Sequence, residues 1–242
     1  MERTGILHRY LRIATELLFP PICTICSNPA DSETFLCNNC KTQIVKLNSC
    51  CTICSEPFNF ESNNNLICGK CQLQPPYFDS SFAPFIYEKT IQDLITKLKF
   101  SRHLPSATTL TRLFIDELNK TNISKPQALL CVPLEKSKMR SRGFNQVTEI
   151  FTPIAKDLGI PLLKNYCKKT KHTETQSTLN AKKRNKNIMD AFSLKQLPQL
   201  DYVTIVDDVI TTGATANTIA KLLKNGGVTH VDVWACARTA KF

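Results

Sequence analysis

The segment YVTIVDDVITTGAT (residues 202–215) carries the clearest signal of the fold in this chain. It begins with an apolar, β-branched run typical of a buried strand, which ends in two adjacent carboxylates, Asp207 and Asp208. A short Thr/Gly turn follows, and helical periodicity then covers 215–224. Ligands of α/β proteins bind at the carboxyl ends of parallel strands. The segment therefore predicts both an α/β fold and a ligand site at its centre.

The turn after the carboxylates has the composition of an anion-binding loop. Its members are Thr211, Thr212, Gly213, Ala214 and Thr215. Hydroxyls, backbone N–H groups and the helix N-terminus can wrap an anion, and Gly213 permits a close approach. Asp207 and Asp208 would repel a bare phosphate, but carboxylates accept hydrogen bonds from vicinal hydroxyls. The segment therefore predicts a sugar phosphate ligand; the alternative is a helix start whose Asp and Thr side chains serve only as caps.

The rest of the C-terminal half continues the α/β pattern. Buried-strand runs occur at 128–134 and 228–237, and helical periodicity occurs at 91–100, 107–118 and 147–158. Strands that alternate with helices predict a largely parallel sheet. A Pro75-Pro76 hinge precedes this region. We therefore expect one domain at 20–76 and an α/β domain at 77–242.

The first of these domains is rich in cysteine and internally duplicated. CTICSNP (23–29) is repeated as CTICSEP (51–57), with a repeat of 28 residues, and a second C-x-x-C pair follows each copy. Each copy supplies four thiolates, as a closed tetrahedral zinc site requires. The predicted ligands are Cys23, Cys26, Cys37 and Cys40 in one site and Cys51, Cys54, Cys68 and Cys71 in the other.

Two alternatives remain open for these sites. The pairs could be interleaved rather than sequential, and Cys50 could replace Cys51. Each Cys-only zinc site carries a net charge of about −2. Since residues 20–78 hold three basic and four acidic side chains, a zinc-loaded module would bind polyanions poorly. We therefore expect the module to be structural or to dock a partner.

Positive charge is concentrated elsewhere in the chain. The formal net charge is +11, and residues 135–186 hold thirteen basic and four acidic side chains. Such a block favours a polyanionic ligand, although a solvated basic loop would have the same composition. The candidate contacts to phosphate or DNA are Arg140, Arg142, Lys168, Lys169, Lys183 and Arg184. Tyr166 is almost the only aromatic residue in 164–186, so base-specific reading is not supported.

The N-terminal residues 1–19 alternate arginines with apolar residues in a helical pattern. They lack the clean apolar run and small-residue cleavage site of a secretory signal, and the apolar stretches of the chain are too short to span a membrane. We therefore expect an amphipathic helix, a cytoplasmic location and thiolate metal ligands rather than disulfides.

Several segments resemble one known family. IVDDVITTGAT is similar to the phosphoribosyl-pyrophosphate (PRPP) loop of type I phosphoribosyltransferases. Together with the duplicated cysteines, ITKLKFS (95–101) and VPLEKSKMRSRGFNQ (132–146), it resembles the ComF/GntX family over roughly 18–240. That family joins a double zinc-ribbon module to a phosphoribosyltransferase domain, whose parallel sheet has helices on both faces.

The resemblance assigns roles to individual residues. Asp207 and Asp208 would hold the ribose hydroxyls, and residues 211–215 would hold the 5′-phosphate. Pyrophosphate would lie against Pro133, Leu134, Glu135 and Lys136. Mg²⁺ would accompany PRPP, and two zinc ions would occupy the cysteine sites.

Three hypotheses of function follow. The first is an accessory protein of natural transformation that handles single-stranded DNA, with other DNA-uptake proteins as further partners. The second is a working phosphoribosyltransferase that uses PRPP and Mg²⁺ with an acceptor that no segment identifies. The third is a scaffold that senses PRPP or a nucleotide. No catalytic residue is assigned, because such chemistry depends on positioning and on stabilisation of the leaving pyrophosphate.

Overall fold

A six-stranded sheet organises the C-terminal part of the molecule. The computed structural model describes residues 20–61, 66–170, 191–196 and 198–240. The predicted helix at 1–19 and two candidate contacts, Lys183 and Arg184, lie outside these ranges. Within the described residues, no helix combines the length and apolar character needed to cross a membrane.

Eight strands and seven helices are described. The strands are β1 (Ser80–Phe82), β2 (Phe85–Ile86), β3 (Ala128–Cys131), β4 (Leu162–Leu163), β5 (Cys167–Lys169), β6 (Phe192–Leu194), β7 (Tyr202–Ile210) and β8 (His230–Arg238). The helices are α1 (Asn38–Thr42), α2 (Gly69–Leu73), α3 (Lys89–Ser101), α4 (Leu104–Leu118), α5 (Lys136–Arg142), α6 (Gln146–Leu158) and α7 (Ala214–Asn225).

The sheet is parallel, as predicted. Its strand order is β1-β8-β7-β3-β4, β2 also pairs with β8, and all these pairings are parallel. β7 and β8 are the long central strands, and β7 lies between β8 and β3 with Val206 opposite both Trp234 and Cys131. The carboxyl end of β3 therefore lies beside Val206, immediately before the two aspartates of β7.

Helices cover both faces of the sheet, because successive side chains of the strands point to opposite faces. Leu129, Val206 and Trp234 pack with the buried faces of α3, α4 and α6. Leu130, Ile205 and Val233 pack against α7 on the other face. These two apolar layers hold each helix in place on the sheet. The loops that join the strands to the helices are positioned as a result.

The N-terminal module repeats its backbone as well as its sequence. In both copies a serine after C-x-x-C adopts a left-handed conformation, with φ of 62° at Ser27 and 54° at Ser55. In both copies that serine N–H donates to the carbonyl of the first cysteine at 2.9 Å. A one-turn helix then carries the last cysteine of each copy, in α1 and in α2. The duplication seen in the sequence is therefore a duplication of structure.

The predicted element boundaries need three corrections. β7 continues to Ile210, so Asp207 and Asp208 lie within the strand rather than at its end. Lys136, expected in a loop, is the first residue of α5, and Arg140 and Arg142 also lie in that helix. The short strands β1, β2, β4, β5 and β6 were not predicted, because two or three residues carry no recognisable periodicity.

Candidate functional site

The two carboxylates of β7 lie where the sequence predicts a ligand site. Asp208 is 5% exposed and Asp207 is partly buried. The two carboxyl groups are close enough for the charge of Asp208 to act on Asp207. The backbone N–H of Asp208 donates to Oδ1 of Asp207 at 2.8 Å. This bond holds the Asp207 carboxylate against the strand.

Asp208 is neutralised by a lysine that the sequence did not single out. Lys99 Nζ lies 2.6 Å from Asp208 Oδ2. Gln146 Nε2 donates to the same oxygen at 3.2 Å, and Gln146 Oε1 accepts from Nη1 of Arg142 at 3.1 Å. The last turn of α3 and the first residue of α6 thus converge on the carboxylate. One indication of Lys99 was present in the sequence, namely its position within the segment ITKLKFS (95–101).

Among the residues that the structure describes, Asp207 has no cation at that distance. Burial, followed by repulsion from Asp208, raises the pKa of Asp207 well above its usual value. Lys99 opposes this increase through its charge but does not cancel it. This part of β7 therefore has one carboxylate whose charge is compensated by an ion pair and another that resists ionisation. A ligand with hydroxyls, or a cation, would favour the charged form of Asp207.

The predicted anion loop lies immediately beyond β7. Gly213 is the N-cap of α7 with φ of 75°, a backbone conformation that side chains other than glycine rarely adopt. Thr211, Thr212 and Ala214 are exposed, and the Thr212 hydroxyl accepts from Ala214 N–H at 3.3 Å. The first turn of a helix leaves N–H groups without intrahelical acceptors. α7 has twelve residues and can therefore present these donors to an anion.

The segment predicted to hold pyrophosphate lies beside the carboxylates. Pro133, Leu134 and Glu135 connect β3 to α5, and Val132 N–H donates to the Val206 carbonyl at 3.0 Å. The side chain of Asn145, the N-cap of α6, donates to the Val132 carbonyl at 3.2 Å. These bonds hold the start of the segment one strand away from Asp207.

The structure brings together some of the basic candidates but not all of them. Lys168 and Lys169 lie on β5, and Lys169 Nζ is 3.8 Å from Glu135 of the predicted pyrophosphate segment. Arg142 faces Gln146, with its guanidinium 5.3 Å from the centre of the Phe100 ring. Arg140 is exposed on α5. Arg142 thus lies one hydrogen bond from the carboxylate network, whereas Arg140 faces solvent.

The eight predicted metal ligands form two clusters with sequential pairing. Cys23, Cys26, Cys37 and Cys40 form the first, and Cys51, Cys54, Cys68 and Cys71 form the second. Within each cluster all sulfur atoms lie within 4.8 Å of one another. The interleaved pairing is therefore wrong, and so is the substitution of Cys50 for Cys51.

The sulfur spacing fits zinc. Zn–S bonds of about 2.3 Å in a tetrahedron place the sulfurs about 3.8 Å apart. Cys26 Sγ is 3.5 Å from Cys37 Sγ and 3.7 Å from Cys40 Sγ, and Cys54 Sγ is 3.7 Å from Cys68 Sγ. A disulfide would require a separation of about 2.0 Å. Both clusters could therefore hold a structural zinc ion.

Hydrogen bonds attach both copies of the ribbon to the α/β domain. Lys97 of α3 donates to the carbonyls of Thr24 and Ile25 at 3.1 and 2.8 Å. Thr90, also on α3, donates to the carbonyl of the ligand Cys40 at 2.9 Å. The second copy is attached through Ser55, whose hydroxyl lies 2.7 Å from that of Ser81 on β1. The metal clusters are thus fixed relative to the sheet.

Fold and site together define a protein in which a double zinc ribbon precedes an α/β domain with a parallel sheet. Comparison with known proteins agrees with the zinc-ribbon part of this class. The family model described as a double zinc ribbon domain matches residues 14–72. The DNA utilization protein YhgH of Salmonella typhimurium is 32% identical over 228 residues, which cover 92% of this chain and 99% of that protein.

Two competence proteins are also similar. Competence protein F of Haemophilus influenzae is 36% identical over 210 residues, which cover 84% of this chain and 90% of that protein. Competence protein ComFC of Streptococcus pneumoniae is 23% identical over 210 residues, with coverage of 86% and 90%. The chain belongs to the ComF/GntX family.

Proposed function

We propose that this protein handles single-stranded DNA during DNA uptake or utilization and that its α/β domain binds PRPP or a related sugar phosphate. The names of the similar competence and DNA utilization proteins support the first part. One observation carries the second part. Asp207 and Asp208 lie beside an exposed Thr/Gly loop and a helix N-terminus, at the carboxyl edge of a parallel sheet.

Each part of this edge suits one part of the ligand. The carboxylates would accept hydrogen bonds from the ribose hydroxyls, and the N–H groups of residues 211–215 would hold the 5′-phosphate. Pyrophosphate would lie along residues 133–136, where Lys136 contributes a charge. Mg²⁺ prefers oxygen ligands and would arrive with PRPP, near the carboxylates. We also propose the domain boundaries that the sequence predicts, between residues 19 and 20 and between residues 76 and 77.

Calorimetric titration with PRPP and Mg²⁺ tests the site directly. The wild-type protein should bind saturably, and the double variant Asp207→Asn/Asp208→Asn should lose binding while its circular dichroism spectrum is unchanged. Asp201→Asn, a change of the exposed aspartate that precedes β7, is the matched control and should bind normally. PRPP affinity that survives the double change would exclude the role of the carboxylates.

We assign DNA binding to four basic residues. Lys168 and Lys169 lie on β5, where Lys169 Nζ is 3.8 Å from Glu135. The sequence adds Lys183 and Arg184, which lie outside the described residues. Charge reversal at these four positions should weaken single-strand binding and flatten its salt dependence, because fewer counterions are released. Charge reversal of Lys120 and Lys125, which follow α4, is the control. An unchanged salt slope in the fourfold variant would exclude this surface.

Phosphoribosyl transfer is a second candidate, since both carboxylates and the whole anion loop are present. Transfer would break the bond between the ribose carbon and pyrophosphate and would form a bond from that carbon to an acceptor. Release of pyrophosphate that depends on an added acceptor would support this activity. Binding of PRPP without any release would favour a binding role.

A further inference from the structure

Arg238 connects the N-terminal module to the anion loop. It is the last residue of β8 and is 3% exposed. Its Nε donates to the carbonyl of Cys54 at 3.1 Å, and its Nη2 pairs with Glu56. Its Nη1 donates to the Ile210 carbonyl at 3.0 Å and also to the Thr211 carbonyl. One buried guanidinium thus contacts both parts of the protein.

The two ends of this connection are a metal ligand and the first residue of the anion loop. Cys54 belongs to the second cluster of four cysteines, and Thr211 begins the loop that precedes α7. β7 and β8 place Ile210 opposite Arg238, so the guanidinium lies under the point where the chain leaves the sheet. A cavity of about 590 Å³ separates the cluster from the helix start, and Arg238 is part of its wall.

The charge of Arg238 makes the connection specific. A buried guanidinium is stable only when its donors are satisfied, and Glu56 supplies the opposite charge. A metal ion in the second cluster would hold Cys54 and the turn that carries Glu56 in place. Without that ion, both acceptors on this side would be free to move. A planar, rigid guanidinium would then lose half of its partners, and the Thr211 carbonyl would lose its fixed donor.

We propose that Arg238 is a positioning residue that couples metal occupancy of the second cysteine cluster to the conformation of the anion loop at residues 211–215. The part of this inference that involves a ligand rests on the proposed sugar-phosphate site. The coupling is reciprocal, so a ligand in the loop slows loss of metal from the second cluster. The first cluster has no such connection among the described residues.

Arg112 provides a matched control. Its Nη1 donates to the carbonyls of Ser32 and Glu33 in the first ribbon copy, and its guanidinium lies 4.4 Å from the centre of the Phe35 ring. It therefore attaches the ribbon to α4 as Arg238 attaches it to β8, but it does not contact the anion loop. If loosening of the ribbon were enough to change the anion loop, substitution of Arg112 and substitution of Arg238 would have the same effect.

Hydrogen exchange tests the coupling without any ligand. In the zinc-loaded wild-type protein, chelation should speed amide exchange in residues 211–215. Arg238→Met should produce the same increase with zinc bound, whereas Arg112→Met should not. Equal exchange in Arg238→Met and wild type would overturn the proposal, and so would an equal increase in both variants.

Binding of PRPP with Mg²⁺ supplies the second readout. Arg238→Met should bind about tenfold more weakly than wild type, and Arg112→Met should bind normally. PRPP should slow chelator-driven release of one zinc ion from the wild type and from Arg112→Met, but not from Arg238→Met. Normal affinity and normal protection in Arg238→Met would contradict the coupling. If the wild type binds no PRPP, the proposed ligand is wrong, while the exchange experiment still decides the coupling.

Discussion

Lys99 on α3 and Asp208 on β7 form an ion pair of 2.6 Å at the centre of the candidate site. The side chains are 19% and 7% exposed, so solvent screens their attraction only weakly. The pair leaves the adjacent carboxyl group of Asp207 without a partner cation at this distance among the described residues. A ligand that brings hydroxyls and phosphates can then exchange partners with both residues.

Lys99→Met should destabilise the protein by on the order of 3 kcal/mol, because it leaves a buried carboxylate without its cation. Urea denaturation measures this loss. Lys97→Met, two positions away and bonded to ribbon carbonyls, is the control and should cost less. Adding Asp208→Asn to Lys99→Met should restore part of the stability. A double variant less stable than Lys99→Met would contradict the assigned pairing.

Asp207 should make a contribution to stability that falls with increasing pH. This contribution is opposite in sign to that of Asp31, Asp79 and Glu117, whose pKa values are lowered. Its folded-state pKa is raised, by burial and then by repulsion from Asp208, above the usual value of 3.8. The unfolded chain therefore releases this proton at lower pH than the folded chain. The contribution to stability is complete below about pH 4 and is lost as pH rises through the raised pKa.

Asp207→Asn removes this contribution, so the variant should be more stable than wild type at neutral pH. The difference between the two free energies of unfolding should widen from about pH 4 to about pH 7, measured by urea denaturation at several pH values. Asp201→Asn should keep the wild-type dependence. A wild-type curve that rises over this interval, with a parallel curve for Asp207→Asn, would contradict the assignment.

Gly213→Ala should weaken sugar-phosphate binding and destabilise the fold by about 1–2 kcal/mol, since φ is 75° at this position. An added methyl group would lie 3.8 Å from the Phe78 ring, an ordinary contact, so the backbone conformation is the main cost. Gly227 also has a positive φ, of 96°, with open space around it. Gly227→Ala should therefore cost similar stability but leave PRPP affinity unchanged. Equal affinity in the two variants would exclude a role for the Gly213 conformation.

Purified protein should contain two zinc ions per chain, one for each cluster. Cys51→Ser should reduce the content to one and destabilise the second ribbon copy, because structural zinc binding is coupled to folding. Cys50→Ser, at the neighbouring position outside the cluster, should keep two. Elemental analysis with protein quantification measures the ratio. A well-folded wild-type preparation with fewer than two ions would refute the duplicated site.

Local patterns were enough to predict much of the fold. Four long helices, the two central strands and the parallel sheet follow from hydrophobic periodicity and alternation, which depend on residues close in the chain. The duplicated cysteines predicted both metal clusters, because two residues between paired cysteines form the same tight turn in each copy. The short strands carry no recognisable periodicity. Their pairing with β3, with β8 and with each other depends on residues that are distant in the chain.

The composition of the candidate site, namely two carboxylates, an anion loop and eight thiolates, can be read from the sequence, and the duplication also predicts sequential pairing of the thiolates. The folded structure excludes interleaved pairing. It also brings Lys99 and Gln146 to Asp208 and connects Cys54 to Thr211 through Arg238, which no local pattern indicates. The physical reason is separation along the chain. An ion pair or a buried hydrogen bond between distant residues exists only after the sheet and its helices have packed, and no local pattern of residues encodes it.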